Sequence, residues 1–210
     1  MFTGIVQSTA TVKSILNGEN FKHFVMEMPL ELLKNLEIGA SVANNGVCLT
    51  AVAFKEVDSV NGQIEFDVID ETLRLTNLND IDVGSSVNIE RSMKAGDEIG
   101  GHMVSGHIHT TAKLTNRIDS KDNCQMTFGI DKKWQKYLFA KGFIAVNGCS
   151  LTLGDVVQGS FNLHLIPETL DRTNLGKMKL GELVNIEIDQ QTMTIVDSIE
   201  RIMSEQALSN

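Results

Sequence analysis

These 210 residues hold only two prolines, three cysteines, one tryptophan and one tyrosine, and basic residues are outnumbered 18 to 27 by acidic ones. Each scarcity removes a class of protein. Cys48, Cys124 and Cys149 are too few and too scattered for a disulfide framework, and none forms a Cys-x-x-Cys pair, so they read as reduced thiols. No run of eighteen apolar residues occurs, and the start Met1-Phe-Thr-Gly-Ile-Val6 lacks a basic stretch followed by an apolar run and a small-residue cleavage site. A cytoplasmic chain without a membrane partner is expected. The net charge of −9, with no basic stripe, argues against nucleic acid and leaves a small molecule as the expected ligand.

What is present is repetition. Glu71-Thr-Leu-Arg-Leu-Thr-Asn-Leu78 returns as Glu168-Thr-Leu-Asp-Arg-Thr-Asn-Leu175, and Asn45-Gly-Val-Cys-Leu-Thr50 as Asn147-Gly-Cys-Ser-Leu-Thr152. Val87-Asn-Ile-Glu90 returns as Val184-Asn-Ile-Glu187 and, more loosely, Met1-Phe-Thr-Gly-Ile-Val6 as Met103-Val-Ser-Gly-His-Ile108. The first two pairs in chain order are 102 residues apart and the last two 97 apart, so the first copy carries five extra residues between Thr50 and Glu71. Each copy is large enough to bury its own core, and two domains are expected.

β-rich runs dominate both halves: 5–12, 21–28, 41–52, 64–69 and 87–91, then 107–114, 125–130, 143–146, 151–157, 161–166 and 184–188. Short strands at this spacing read as a small closed barrel or a sandwich. Helical pieces are expected at 30–36, at 132–140 and at the repeated Glu-Thr-Leu segment, which Asp70 or Pro167 would open. The glycine-rich stretch 92–101 reads as the linker. From Asp197, with Glu200 as its capping partner, Ile199, Ile202 and Met203 recur at helical spacing. A helix this short must pack on something, either its own domain or a bundle of identical chains.

Matched positions mostly preserve a fold, so roles divide where the copies depart. Ile5 corresponds to His107, Cys48 to Ser150 and Ser92 to Asp189. The second copy thereby holds an imidazole, a hydroxyl and a carboxylate, types that exchange and orient protons near neutral pH. Plainer readings stand beside these. Cys48 and Cys149 are also what buried small side chains look like, and the glycines around His102 and His107 also suit tight turns. His102, His107 and His109, with His164 or Cys149, invite a metal, but no spacing matches a zinc signature. The Glu-Thr-Leu segment serves as a cap or, through Thr72 and Thr169 at a helix start with free amides, as a seat for a ligand carbonyl.

The opening hexapeptide, the Asn-Gly-x-Cys/Ser-Leu-Thr pair, Gly100-Gly101-His102-Met103-Val104-Ser105-Gly106-His107 and Ile166-Pro167-Glu168-Thr169-Leu170 together resemble riboflavin synthase of the alpha-subunit type. The resemblance implies an all-β fold of two tandem six-stranded Greek-key β-barrels, residues 1–96 and 97–192, and a C-terminal trimerisation helix, 193–210. It implies a homotrimer, with lumazine synthase as a candidate partner. The expected substrate is 6,7-dimethyl-8-ribityllumazine, two molecules of which exchange a four-carbon unit to give riboflavin and 5-amino-6-ribitylaminouracil without cofactor or metal. Carried over residue by residue, the first-barrel pocket would comprise Gly4, Ile5 and Val6, then Ser41, Cys48, Leu49 and Thr50, then Asp67, Val68, Ile69, Asp70, Glu71 and Thr72. The second would comprise Gly106, His107 and Ile108, then Lys141, then Ser150, Leu151 and Thr152, then Ile166, Pro167, Glu168, Thr169, Leu170 and Asp171, with Asp189. His107 is expected to transfer a proton, Ser150 to orient the ring or an added water, and Asp189 to position them. Cys48 and Ser41 are expected to serve the addition site in the other pocket. The same double barrel occurs in lumazine-binding antenna proteins that catalyse nothing; the polar set His107, Ser150, Thr152 and Asp189 favours the enzyme. A flavin-binding reductase barrel would need a nucleotide-binding partner domain that a second barrel does not supply.

Overall fold

The computed structural model describes residues 1–208; Ser209 and Asn210, the end of the expected tail 193–210, lie outside the described residues. Two closed antiparallel barrels of six strands account for most of the chain. The first is built from β1 (Ser8–Asn17), β2 (Phe21–Pro29), β3 (Ser41–Asn44), β4 (Val47–Glu56), β5 (Asn61–Ile69) and β6 (Ser86–Arg91), paired in the order β1-β2-β5-β4-β3-β6. The second repeats that order with β7 (Thr110–Asp119), β8 (Cys124–Gly129), β9 (Phe143–Val146), β10 (Cys149–Val157), β11 (Ser160–Leu165) and β12 (Leu183–Ile188). Alternate residues point inward: Phe24, Met26, Ile64, Phe66, Val87 and Ile89 fill one barrel, and Leu114, Met126, Phe128, Phe161, Leu163 and Ile186 the other. Bulges after Val12 in β1 and after Leu114 in β7 fall at matching positions and bend the strands into closure.

The β-rich run 41–52 proves to be two strands. Asn45 and Gly46 both take positive φ, 47° and 80°, and Asn147 and Gly148 repeat this at 45° and 79°. That is the backbone of a tight hairpin turn, which Asn-Gly adopts at little cost. The expected helices are shorter and tighter than anticipated: 3-10 turns at Leu30–Leu33 and Lys132–Tyr137, and single-turn helices α1 (Asp70–Leu75) and α2 (Pro167–Arg172). Residues 5–7 and 107–109, expected to begin strands, lie outside the ladders; β1 starts at Ser8 and β7 at Thr110.

The tail helix, α3 (Gln190–Leu208), starts three residues before the expected boundary at 193 and seven before Asp197. Asp189 begins it, because its carboxylate accepts the N–H of Thr192 at 2.9 Å and its hydroxyl at 2.7 Å. Asp197 and Glu200 do not cap; they reach Lys136 and Tyr137 on the second barrel. Met193 and Val196 pack on that barrel's core, while Ile195, Ile199, Ile202 and Met203 face away from it and are exposed. No helix among the described residues is long and apolar enough to cross a membrane.

An asparagine seam joins the barrels. Asn77 N–H donates to the Asn185 side-chain oxygen at 2.7 Å, and Asn174 N–H to that of Asn88 at 2.7 Å. Asn88 Nδ2 donates to the Asn147 carbonyl at 3.0 Å and Asn185 Nδ2 to the Asn45 carbonyl at 2.9 Å. Every one of these bonds crosses between halves, and each has its duplicate. Buried backbone groups cannot be left unpaired cheaply, so the seam fixes the two barrels relative to one another. Replacing Asn185 by Ala orphans the Asn77 N–H and the Asn45 carbonyl, each at about 1–3 kcal/mol. Urea unfolding should show that loss, whereas Asn116→Ala on the exposed face of β7 should stay within about 0.5 kcal/mol of the parent.

Candidate active site: two outer grooves with exchanged straps

In β4, Leu49 and Ala51 face into the first barrel, which turns Cys48 and Thr50 outward; Ser41 pairs with Thr50 across the ladder and Ala43 with Cys48. Ala51 pairs with Phe66 and Asp67 with His23, so His23, Asp67, Thr50 and Ser41 follow one another across the barrel's outer face. The second barrel repeats the construction with Gln125, His164, Thr152 and Phe143, and with Ser150 in place of Cys48. Asp67 is held by His23 Nδ1 at 2.7 Å, and His23 Nε2 lies 3.2 Å from Glu65.

Over each groove lies a strap that belongs, by sequence, to the other copy. The strap 1–6 is tied to its own barrel by Glu90, whose carboxylate accepts the Thr3 N–H at 2.6 Å, the Thr3 hydroxyl at 2.8 Å and the Gly4 N–H at 3.1 Å. Its far edge then reaches the second barrel: the Gly4 carbonyl takes the Ser150 N–H at 2.8 Å, and Val6 is buried in the second barrel's core. The strap 103–108 does the reverse. Glu187 accepts the Ser105 N–H at 2.7 Å, the Ser105 hydroxyl at 2.8 Å and the Gly106 N–H at 2.9 Å. The Gly106 carbonyl takes the Cys48 N–H at 2.9 Å and Ile108 packs on the first barrel's core. Phe2 and Val104 pair with each other where the straps cross. A Cβ on Gly4 would stand 2.5 Å from Ser150 Cβ, and one on Gly106 2.5 Å from Cys48 Cβ, so only glycine permits this approach.

The exchange concerns the straps' backbone and their buried residues: Gly106 and Ile108 meet the first barrel, and Gly4 and Val6 the second. The side chains between them stay with their own copy, since Ile5 lines a cavity with Glu90, Arg91 and Ser92, and the His107 charge acts on Glu187 and His109. The hydrogen-bond partner of Ser150 is His102, whose Nδ1 is 2.6 Å from Ser150 Oγ. His102 is buried, its ring stacks on Phe143 at a centroid distance of 5.1 Å, and burial pushes its imidazole below the ordinary value while the charge of Asp189 pulls it back. His107 is exposed, and His109 accepts the Ile188 N–H at Nδ1, so the three histidines face different partners. Among the described residues no group of three or more His, Cys, Asp or Glu is placed to hold a metal.

The other expected residues divide by which way they face. Leu49, Val68 and Val6 are core side chains, because strand alternation or the strap's anchoring turns them inward, and only their backbone remains for a ligand. Leu151 packs against the second barrel's core. Asp67, Ile69 and Asp70 and, in the second copy, Ile166 and Pro167 are exposed at the strand-to-helix turns. Glu71 pairs with Arg74 and Glu168 with Arg172 along the short helices, and Asp171 is exposed. Leu170 and Thr169 are half-buried, as is Thr72. The Thr72 and Thr169 carbonyls take the hydroxyls of Thr76 and Thr173, so the repeated motif is a cap as well as a groove edge. Lys141 is exposed at φ 70°, next to the Phe143 end of the second groove. Cys149 is buried and its thiol is pushed up to about 12, chiefly by burial, which fits an inert core side chain. Sequence comparison did not single out His23, Gln125 or Phe143, and weighed His102 and His164 only for a metal, although the spacing of 102 sets Ser41 against Phe143 and His23 against Gln125, and the spacing of 97 sets Asp67 against His164.

Burial pushes the carboxyl groups of Glu90 and Glu187 above the ordinary range, against the hydrogen bonds from their straps, which pull them down. A raised carboxyl binds its proton more readily folded than unfolded, so this contribution to stability is present at low pH and is lost as pH rises through the folded value. Buried His102 and half-buried His109, whose imidazoles burial pushes down, act oppositely: their contribution is present above pH about 6.5 and is lost as pH falls towards their lowered values. Glu187→Gln puts an amide N–H where a strap N–H must donate. It should cost about 1–3 kcal/mol by urea unfolding and flatten the decline in stability on the alkaline side of pH 4.5.

The lumazine binding domain family matches residues 3–92 and again 105–189. The chain is 52% identical to riboflavin synthase of Escherichia coli (strain K12) over 206 residues, covering 97% of this chain and 94% of the relative. It is 37% identical to riboflavin synthase of Bacillus subtilis (strain 168), covering 90% and 85%. Among solved structures, LumP complexed with riboflavin superposes with a TM-score of 0.81 at 26% identity, covering 90% of this chain and 99% of LumP. LumP complexed with 6,7-dimethyl-8-(1'-D-ribityl) lumazine gives 0.78 over the same shares. With two matched lumazine-binding repeats and relatives of this identity along nearly its whole length, the chain belongs to the riboflavin synthase family.

Proposed function

We propose that the chain converts two molecules of 6,7-dimethyl-8-ribityllumazine into riboflavin and 5-amino-6-ribitylaminouracil by transfer of a four-carbon unit. The observation that carries this reading is the pair of homologous outer grooves with different chemical equipment. One offers Cys48, Ser41, Thr50 and the strap-borne His107; the other offers Ser150, Thr152, His102, Phe143 and nearby Asp189. Two like heterocycles held in related grooves would be treated unlike. A pure binder would have no use for that difference, and identity to the LumP structures is half that to the Escherichia coli synthase.

The reaction needs loss of a proton from the 7-methyl group of one lumazine and addition of a nucleophile to the other. Cys48 would offer a thiol, or orient an added water, at the addition site, and His107, on the strap whose Gly106 carbonyl takes the Cys48 N–H, would supply an imidazole for proton transfer. Ser150 and His102 supply a hydroxyl–imidazole pair where the other molecule would deprotonate or be hydrogen-bonded. Face-to-face stacking in fixed register would contribute about 7–11 kcal/mol through orientation alone. Thr50 and Thr152, on the outer rows, suit the polar edge of the ring or the ribityl chain.

A homotrimer is the assembly this reading takes. The two grooves of one chain belong to different barrels, so stacking would bring a first groove against the second groove of a neighbour. The exposed stripe of Ile195, Ile199, Ile202 and Met203 on α3 is the apolar surface that would gather chains.

Incubation of the pure protein with the lumazine should yield riboflavin, read by its visible absorbance; no product would overturn the assignment. Cys48→Ser and His107→Gln should each lower kcat at least about tenfold while leaving lumazine affinity within about threefold, the pattern for groups used in the transition state rather than in binding. Full activity in both would overturn those roles. Ile199→Glu with Ile202→Glu sets like charges on the stripe, and sedimentation should then show monomers with little turnover. An unchanged trimer would remove the stripe from assembly.

A further inference from the structure

Outside the straps and the positions at which the copies diverge visibly, one side chain has a placement that the duplication does not account for. His102 lies outside the blocks that the two copies share. Its ring is buried and sandwiched by position: Phe143 on β9 lies parallel to it, with 16° between the planes, and Nδ1 meets Ser150 Oγ on β10. Gly101, immediately before it, runs so close that a Cβ would stand 2.4 Å from the Thr3 carbonyl and 2.6 Å from Ser150 Cβ. The strap 1–6, the residues before His102 and the Ser150 turn are thus packed into one unit.

We propose that His102 is a positioning residue that fixes the Ser150 hydroxyl proton, with Phe143 holding the imidazole in register. The proposal rests on the reading of the second groove as a substrate site and deepens it. A serine hydroxyl rotates freely and can donate or accept; a bond to one ring nitrogen removes that freedom. In the neutral tautomer protonated at Nε2, Nδ1 accepts the Ser150 O–H, and the lone pairs of Oγ are left to receive a hydrogen bond from a ring N–H or an added water. Burial favours that neutral form, Asp189 at the β12–α3 junction is the charged group that acts against it, and Ser150 and Phe143 are the uncharged faces around it. The first groove has no such device: the residue opposite Thr50 is Ser41 where the second has Phe143 opposite Thr152. A fixed hydroxyl in one groove, where the other has the thiol of Cys48, is a means of giving two identical ligands different partners.

The test is a cycle of His102→Phe, Ser150→Ala and the double variant, with His102→Asn as the variant that can return an amide to the Nδ1 position. All are measured on the full-length protein with 6,7-dimethyl-8-ribityllumazine. His102→Phe keeps a ring for Phe143 to stack on, and kcat should fall about 10- to 100-fold, the scale of a misplaced reacting group, with KM little changed. In the Ser150→Ala background the same change should have almost no further effect, because the two act as one unit. His102→Asn should recover part of the loss and should abolish any acidic limb of the kcat profile contributed by the imidazole. Wild-type kcat in His102→Phe and His102→Asn, or losses that multiply in the double variant, would overturn the proposal while leaving the function in place. Failure of the wild type to form riboflavin would overturn the function and this inference with it. Should His102→Phe not fold, the cycle with His102→Asn decides by the same criterion.

Discussion

Glu90 and Glu187 are carboxylates taken largely out of water, and each keeps its place by accepting three hydrogen bonds from a strap. A buried carboxylate is costly unless such donors surround it. The donors here are backbone and hydroxyl groups of residues 3–4 and 105–106, so satisfying the carboxylate fixes the strap, and fixing the strap delivers its far edge to the other barrel. Cys48, Ser150, His107 and Ile5 all owe their neighbours to this arrangement. Neither groove is complete within the stretch of sequence that encodes its barrel.

The contact between the halves is self-complementary in the sense that a two-fold dimer interface is: what one copy gives, the other returns. Asn45, Asn77 and Asn88 meet Asn147, Asn174 and Asn185, and the two Asn-Gly turns are close enough that a Cβ on Gly46 would stand 2.6 Å from the Gly148 nitrogen. In such a contact a change on one side alone leaves an orphaned buried group on the other. That constraint accounts for which blocks remained alike. The repeated Asn-Gly, Thr-Asn-Leu and Val-Asn-Ile-Glu segments are the seam itself, rather than a general requirement of the barrel.

The architecture was legible because it rests on local rules: alternation set the strands, spacing set the duplication, and the Glu-Thr-Leu segments did form short helices. Asn45-Gly46 carried a hairpin signal that divides the run 41–52, and Asp189 carried a capping signal with Thr192 three residues on; both were readable and were overshadowed by longer patterns. The strap exchange was not readable. Matching Ile5 to His107 says that they occupy equivalent places, but not on which barrel, since that depends on where Val6 and Ile108 are buried. Cys48 and Ser150 do occupy equivalent places on β4 and β10, and each donates a backbone hydrogen bond to the other copy's strap that the repeat alone does not reveal. In the sequence His102 reads only as a metal candidate, because it lies outside the blocks the copies share and its partner Ser150 is 48 residues away.

Exchange also bears on how duplicated grooves acquire separate tasks. If each groove were built from its own copy, changing one would leave the other untouched. Here the strap that roofs one groove is anchored by a glutamate of the opposite barrel, and Phe2 and Val104 bind the two straps together. Among residues that face a groove and touch no seam the copies have diverged freely: Ile5 against His107, Cys48 against Ser150, Ser41 against Phe143, Asp67 against His164. The glycines, asparagines and glutamates between them are held by their partners across the seam. A substitution there disturbs both grooves at once, whereas one at a groove-facing position changes a single ligand's surroundings.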